Sequence, residues 1–322
     1  MPERYNDALP EIEKKGWRLS ERIKGISKGH GIDTCVSAKR FVCESVLWAL
    51  KETTALDFMV TGGLLHDQRV RQTGDADIRL DLSISAPALY GDVSAAARHL
   101  RQFGISVLVG EVTALDMGGK GQGFRVSLQA KIGPTNIVTH LDVGFGPRPD
   151  GAVCREFRSL FKGPSFTAWA QPLEAQVADK FAAIVTLGVT NTRLKDFADL
   201  SRMYRTGLDD AAVARALVTT MRERKADTAM LLKECPEGLS YDFAAANKAP
   251  WREYVARHDR GLDPDFELIA SDVFAWWQDI QRTMLDLAER DALEPRPRVA
   301  APSTEPEDGN VVSLESYRRL RA

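Results

Sequence analysis

The chain has 322 residues, 43 Lys and Arg against 45 Asp and Glu, and a formal net charge of -2. A hydrophobic fraction of 44% beside a charged fraction of 27% suits a folded globular protein and excludes wholesale disorder. Near-neutral charge does not point to bulk coating of nucleic acid, though it leaves room for a local basic patch. No apolar run reaches the ~18 residues of a membrane helix. The opening MPERYNDALPEIEKK lacks the apolar core of a signal peptide, so a cytoplasmic protein with no membrane partner is expected. Cys35, Cys43, Cys154 and Cys235 are widely spaced and form no CxxC, which predicts buried free thiols. The histidines show no HExxH-type spacing.

Residues 1–55 carry helical periodicity. In KRFVCESVLWALKE, Phe41, Val42, Val46, Leu47 and Leu50 form one stripe. SKGHGIDT breaks the helix before it, with Asp33 or Thr34 placed to cap the next. DFMVTGG (57–63) reads as a strand entering a tight turn. DADIRLDLSIS (75–85) alternates as a half-buried strand does: Ala76, Ile78, Leu80, Leu82 and Ile84 on one face; Asp75, Asp77, Arg79, Asp81 and Ser83 on the other. PALYGDVSAAARHLRQFG reads as a helix closed by Gly104. Short strand-like pieces follow, ISVLVGEV, GFRVSLQAKI and NIVTHLDVGF, with glycine density at 117–123 marking a hairpin or mobile loop. From about 166 the chain turns helical: EAQVADKFAAIVTLG ending at Gly188, RLKDFADLSRMYR, DDAAVARALVTTMRERK and the long FELIASDVFAWWQDIQRTMLDLAERD. Residues 291–312 hold four prolines and read as a linker before the amphipathic tail VVSLESYRRLRA. The expected organisation is a helical segment 1–55, an α/β core 56–165, a helical domain 166–290, and a flexible linker and tail 291–322.

The chemistry-bearing residues are Gly62-Gly63, then Arg71-x-Thr73-x-Asp75-x-Asp77, then Asp142. Two carboxylates two apart on a strand project from one face and resist ionising together. A divalent cation relieves that conflict, and hard oxygen ligands suit Mg²⁺. If the strand bearing Asp142 lies beside the first, a third carboxylate joins them. Three carboxylates can hold two ions ~3.5–4 Å apart, the arrangement used in phosphoryl transfer. Gly62-Gly63 lets backbone N–H groups approach phosphate, although no GxxxxGK[ST] P-loop is present. Taken singly, each part has an ordinary structural reading: a solvated strand face for the DxD, a plain turn for the glycines. Lys180, in an otherwise apolar helix, either contacts a ligand or snorkels. Arg71 pairs with triphosphate or with a strand neighbour, and Thr73 can cap or hydrogen-bond locally. Asp196 and Asp199 open a helix, where carboxylates favour the dipole. Residues 193–225 hold eight basic side chains against five acidic ones. Arg202 and Arg205 share a helix face, either a phosphate-tracking wall or a solvated surface. Of the adjacent Trp276 and Trp277, at least one is expected in the core.

In this order the motifs resemble the polymerase-β-like nucleotidyltransferases. VTGGLLHDQRVRQTGDADIRLDL, GFRVSLQAKIGPTNIVTHLDVGFG and EAQVADKFAAIVTLGVTNTRLKDFADL are similar to the signature blocks of the AbiEii/AbiGii toxin family, a likeness covering roughly residues 20–290. The resemblance implies a polymerase-β-like α/β (α+β) core with a mixed sheet, N-terminal helices and a C-terminal helical domain. It implies Mg²⁺, two ions, held by Asp75, Asp77 and Asp142. It implies an NTP gripped by Gly62, Gly63, Arg71, Thr73, Lys180, Arg193, Lys195 and Asp196. It implies transfer of a nucleoside monophosphate to an acceptor hydroxyl, with RNA, the 3′ end of tRNA, as the candidate acceptor. The biology implied is a phage-defence toxin with a separately encoded antitoxin. Nucleotidyl transfer to a small molecule or protein, and a nucleotide-sensing module without turnover, remain alternatives. One departure stands out: Thr61 occupies the place of the family's frequent lysine before the glycines.

Overall fold

The alternation at 76–80 does make a strand, and it sets the geometry of everything around it. In the computed structural model, which describes residues 10–116, 122–204, 206–258 and 261–293, β2 (Ala76–Leu80) buries Ala76, Ile78 and Leu80 and turns Asp77 and Arg79 the other way. The strand is shorter than its sequence suggests. It ends at Leu80; Leu82 is 75% exposed, and the Ser85 side chain caps helix α3 (Ala86–Leu100) by accepting from the Ala88 amide. Helix capping thus takes the residues that alternation assigned to the strand. Helix α3 tightens into a 3-10 turn and closes at Gly104, whose φ is +79°.

Seven strands form one mixed sheet in the order β3-β4-β5-β2-β1-β7-β6. They are β1 (Met59–Thr61), β2, β3 (Ile105–Asp116), β4 (Gln122–Ile132), β5 (Thr135–Phe145), β6 (Val153–Phe157) and β7 (Phe166–Ala170). The pieces read as short strands are instead an antiparallel meander, β3 to β5, of 11 or 12 residues each. β5 then pairs in parallel with β2. Helices α1 (Glu11–His30) and α2 (Thr34–Thr53) precede the sheet, separated by Gly31 in the left-handed region; Asp33 caps α2, accepting from the Val36 amide at 2.8 Å.

One core is formed by the stripe Phe41, Val42, Val46, Leu47 and Leu50 of α2 with Leu89, Val93 and Leu100 of α3, laid on Ile78, Leu80, Val126, Leu128, Leu141 and Val143. These apolar residues occupy the sheet face opposite Asp77. Beyond β7 the chain is helical: α4 (Leu173–Leu187), α5 (Leu194–Tyr204), α6 (Asp210–Glu223), α7 (Tyr241–Ala246), α8 (Lys248–His258) and α9 (Phe266–Leu293). Their interior is aromatic. Trp276 and Trp277 are both buried and flank the Phe181 ring at 5.6 and 5.5 Å, while Phe197 packs with Phe243 and Phe266. Adjacent tryptophans point about 100° apart on a helix, so both are buried because helices close on α9 from two sides.

By internal contacts, residues Met1–Leu285 form one unit and Asp286–Ala322 another. No helix among the described residues is long and apolar enough to cross a membrane. All four cysteines are free, but only Cys43 is buried; Cys35, Cys154 and Cys235 are exposed, against expectation. Most of the glycine-rich turn at 117–123, Arg205, nearly all of the proline-rich linker, and the tail lie outside the described residues.

Candidate active site

Strand register assembles the acidic residues. Asp77 of β2 lies opposite Asp142 of β5, Asp142 opposite Arg125 of β4, and Asp77 opposite Thr61 of β1. Paired residues share a face, so Arg125, Asp142, Asp77 and Thr61 form one row across four strands. Asp75 and His140 lie in the adjoining row. His140 Nε2 is 3.8 Å from Asp142 Oδ2 and 4.0 Å from Asp75 Oδ2, poised between the two carboxylates.

The three aspartates are not equivalent. Burial opposes ionisation of Asp75, but the Thr73 hydroxyl donates to it, and Lys195, His140 and Arg71 add attraction, holding it below the ordinary carboxylate range. The Asp77 carboxylate accepts no hydrogen bond among the described residues. Burial, then the negative charges of Asp75 and Asp142, push it up to about 6. Asp142 is fully engaged: Arg125 Nε and Nη2 donate to its two oxygens at 2.8 and 2.7 Å.

This donor set fits a divalent cation at Asp75 and Asp77, because a half-buried carboxylate without donors, next to two others, lacks only positive charge. Among the described residues no three acidic, imidazole or thiolate side chains converge as ligands. The Arg125 fork occupies both oxygens of Asp142. For Asp142 to join as a third ligand, it must exchange Arg125 for the ion.

The two glycines lie at the same end of the row. β1 ends at Thr61, and Gly62–Leu65 forms a 3-10 turn. Gly62 has φ +64°, and a Cβ there would collide with the Asp77 carboxylate; a Cβ on Gly63 would collide with Arg71 Nη1 and the Thr73 hydroxyl. Only glycine permits this approach of turn and carboxylate.

Across from the turn stands a buried ionic cluster. Arg71 Nε donates to both oxygens of Asp199, at 2.8 and 3.0 Å. Lys180 Nζ donates to Asp199 Oδ2 at 2.6 Å and to Asp196 Oδ1 at 3.3 Å. Arg193 Nε donates to Asp196 Oδ2 at 2.7 Å. Burial works against Asp199 ionising, but Lys180 and Arg71 outweigh it and bring it down to about 2. Arg71 therefore pairs with a helix carboxylate and not with a strand neighbour, and Lys180 is neither snorkelling nor free. Asp196 is fully buried with both oxygens occupied, so it acts on any ligand through Lys180 and Arg193. Lys195 is exposed, makes no ion pair among the described residues, and its charge is felt by both Asp75 and Asp77. The wall once read from eight cations is partly neutralised internally: Arg193 pairs with Asp196 and Arg224 with Asp179.

Sequence reasoning singled out every residue of this site except Arg125 and His140, and read Asp199 only as a helix-opening acid. Arg125 belongs to an ordinary alternating strand, and its partner follows from pairing register alone. Asp199 was visible as an acid in KDFADL, three residues after Asp196 and hence on the same helix face. That spacing was the available signal.

Paired strand carboxylates beside a glycine turn, faced by fixed cations, are an arrangement suited to nucleotidyl transfer. A model of the nucleotidyl transferase AbiEii toxin family, of type IV toxin–antitoxin systems, matches residues 50–279. The chain belongs to that family and is a nucleotidyltransferase of the toxin class. Among solved structures it is similar to MenT4, a nucleotidyltransferase toxin from Mycobacterium tuberculosis, at 14% identity and TM-score 0.47, covering 82% of this chain and 98% of that one. It is also similar to JHP933 from Helicobacter pylori, at 13% identity and TM-score 0.45, over 79% and 97% of the two chains. No curated protein matches the sequence.

Proposed function

We propose that this toxin transfers a nucleoside monophosphate from an NTP to an RNA hydroxyl, the 3′ end of tRNA, and that a separately encoded antitoxin opposes it. Mg²⁺, two ions, would be held by Asp75, Asp77 and Asp142, and when bound would neutralise charge on the phosphates and the attacking oxygen. The observation that carries this reading is Asp77: half-buried, with no side-chain hydrogen-bond donor among the described residues, and flanked by two further aspartates. In the reaction the acceptor oxygen forms a bond to the α-phosphorus. The α–β bridging P–O bond breaks, pyrophosphate leaves, and Asp142 takes the hydroxyl proton. The Gly62-Gly63 turn offers backbone N–H groups to the triphosphate. Lys195 reaches it from solvent, Thr73 holds Asp75, and Asp196 and Asp199, the latter braced by Arg71, fix Lys180 and Arg193 at its border. Most of the rate would come from positioning and charge neutralisation. In this reading residues 56–165 supply the carboxylates and 166–290 the phosphate-facing cations.

The test is a labelling assay. Total tRNA, Mg²⁺ and each α-labelled NTP in turn are incubated with the protein and with its Asp75→Ala variant. Label on tRNA with one NTP, lost in the variant, is expected. Label that appears only on protein or on a small molecule would overturn the RNA reading while leaving the carboxylate assignment standing.

A further inference from the structure

A second charged cavity lies behind the sheet. It has a volume of about 390 Å³ and is bordered by Lys15, Arg18 and Arg22 of α1, by Lys162, and by the aromatic rings of Trp48 and Phe103. No acidic residue lines it. The acids of α1 that form ion pairs are directed elsewhere: Glu11 pairs with Lys14, and Glu21 with Lys24. Among the described residues Lys15 is tied only to the Gln102 carbonyl, at 3.2 Å. Arg18, Arg22 and Lys162 are exposed and make no ion pair among the described residues.

Two features show that this arrangement is built into the fold. Lys162 is one of two non-glycine residues with positive φ among those described, at +54°. That conformation is strained for a side-chain-bearing residue and persists only when the surroundings impose it. The next residue, Gly163, sits so closely on Phe41 that a Cβ would lie 2.8 Å from the ring. In addition, Phe103 is 42% exposed and meets Trp48 edge-on, with centroids 5.0 Å apart, beside the cations. A half-exposed aromatic pair next to uncompensated cations is the combination that takes a base on the ring and a phosphate on the charge.

We propose that this cavity binds a single-stranded segment of the acceptor RNA, away from the reacting hydroxyl; the inference rests on the RNA reading of the catalytic site. Lys15, Arg18 and Arg22 stand at i, i+3 and i+7, so their charges run about 10 Å along one helix face. That reach follows a phosphodiester chain and exceeds a single phosphate group. The cavity lies on the α1–α2 side of the sheet, opposite Asp77, so it adds a grip that the catalytic face does not provide.

The test uses the full chain and two variants. Arg18→Ala/Arg22→Ala removes two exposed cations. Lys162→Gly removes a third while relieving its backbone strain, so its Tm should hold or rise. Binding of a fluorescein-labelled single-stranded RNA and of total tRNA is read by anisotropy across salt concentrations, with NTP affinity measured in parallel. In the double variant RNA affinity is expected to fall about tenfold or more. Its log–log salt slope should shrink by about 1.4, at about 0.7 for each phosphate contact on a single strand. Lys162→Gly should lower the slope by about half that amount, and NTP affinity should not change. Wild-type RNA affinity and slope in both variants, from a wild-type protein that labels RNA, would overturn this site alone. Lost NTP binding with retained RNA binding would also overturn it, because the cavity would then be a mononucleotide site. If wild type binds RNA through this cavity yet labels none, the acceptor reading falls and the site stands.

Discussion

Asp199→Asn removes the hub of the buried ionic cluster without changing its volume. Asp199 is 1% exposed and receives Arg71 at 2.8 Å and Lys180 at 2.6 Å. Burial raises its pKa, but Lys180 and Arg71 outweigh that and lower it from 3.8 to about 2. At ~1.4 kcal/mol per unit, the ionised form contributes about 2 kcal/mol to folding. The substitution costs more than this, because Arg71 and Lys180 are left buried with less compensation; breaking a buried pair from one side costs ~3–5 kcal/mol. Urea unfolding at pH 7 without metal should therefore show a loss of about 3–5 kcal/mol. The sign of the pH dependence is fixed by the lowered folded pKa. The stabilisation is complete above the ordinary carboxylate range and is lost as pH falls toward about 2. The gap between wild type and variant should hold from pH 7 down to about 4 and narrow below it. A second substitution, Lys180→Met, placed on Asp199→Asn should recover part of the loss, since it removes one stranded charge. A loss under about 1 kcal/mol at pH 7, or a gap that does not change with pH, would refute the account.

Asp77→Asn should abolish nucleotide transfer yet leave the metal-free protein at least as stable as wild type at pH 8. The folded pKa is raised to about 6, so the ionised form is a cost that grows as pH rises from about 4 to 6; thermal melts at pH 5 and pH 8 read the difference. Arg125→Ala frees Asp142 from a pair whose arginine is 42% exposed. Such a pair is worth about 1 kcal/mol at most, so the Mg²⁺ concentration for half-maximal labelling should fall by up to about fivefold, and a rise would contradict the competition described. Phe181→Ala empties the space between Trp276 and Trp277 and should cost ~3–5 kcal/mol in denaturant unfolding. A loss below ~1 kcal/mol would mean the two indoles do not depend on that ring.

What the sequence displayed was local. Alternation at 76–80, the glycine-closed helix ends at Gly104 and Gly188, and the Asp33 cap are each decided by a few neighbouring residues, and each forms. The paired aspartates belong to this class, because two residues on one strand need no partner to share a face. β6 and β7 went unread because VCREF is exposed at four of its five positions and FTAWA is only five residues long. Strand length was misjudged in both directions. Ser85 ended β2 early by capping a helix, while the meander ran on beyond its apolar pieces because neighbouring strands supplied the hydrogen bonds. The charged partners were the hardest to read. Arg125 meets Asp142 from 17 residues away, and Arg71 meets Asp199 from 128 residues away. No periodicity encodes such distances, so Arg71 was open to the wrong partner and Asp199 passed for a helix-dipole acid.

The parallel pairing of β2 with β5 and the reach from Arg71 to Asp199 also bear on how the toxin is synthesised. A ribosome completes the carboxylate row once β5 has emerged at Phe145, yet Asp199, the carboxylate that anchors both Arg71 and Lys180, is added tens of residues later. Closing loops of that length is slow compared with local folding. During translation the chain therefore passes through a stage with its acids assembled and its cations still missing. A product released at that stage carries the carboxylate row without the ion pairs that hold Arg71 and Lys180 in place.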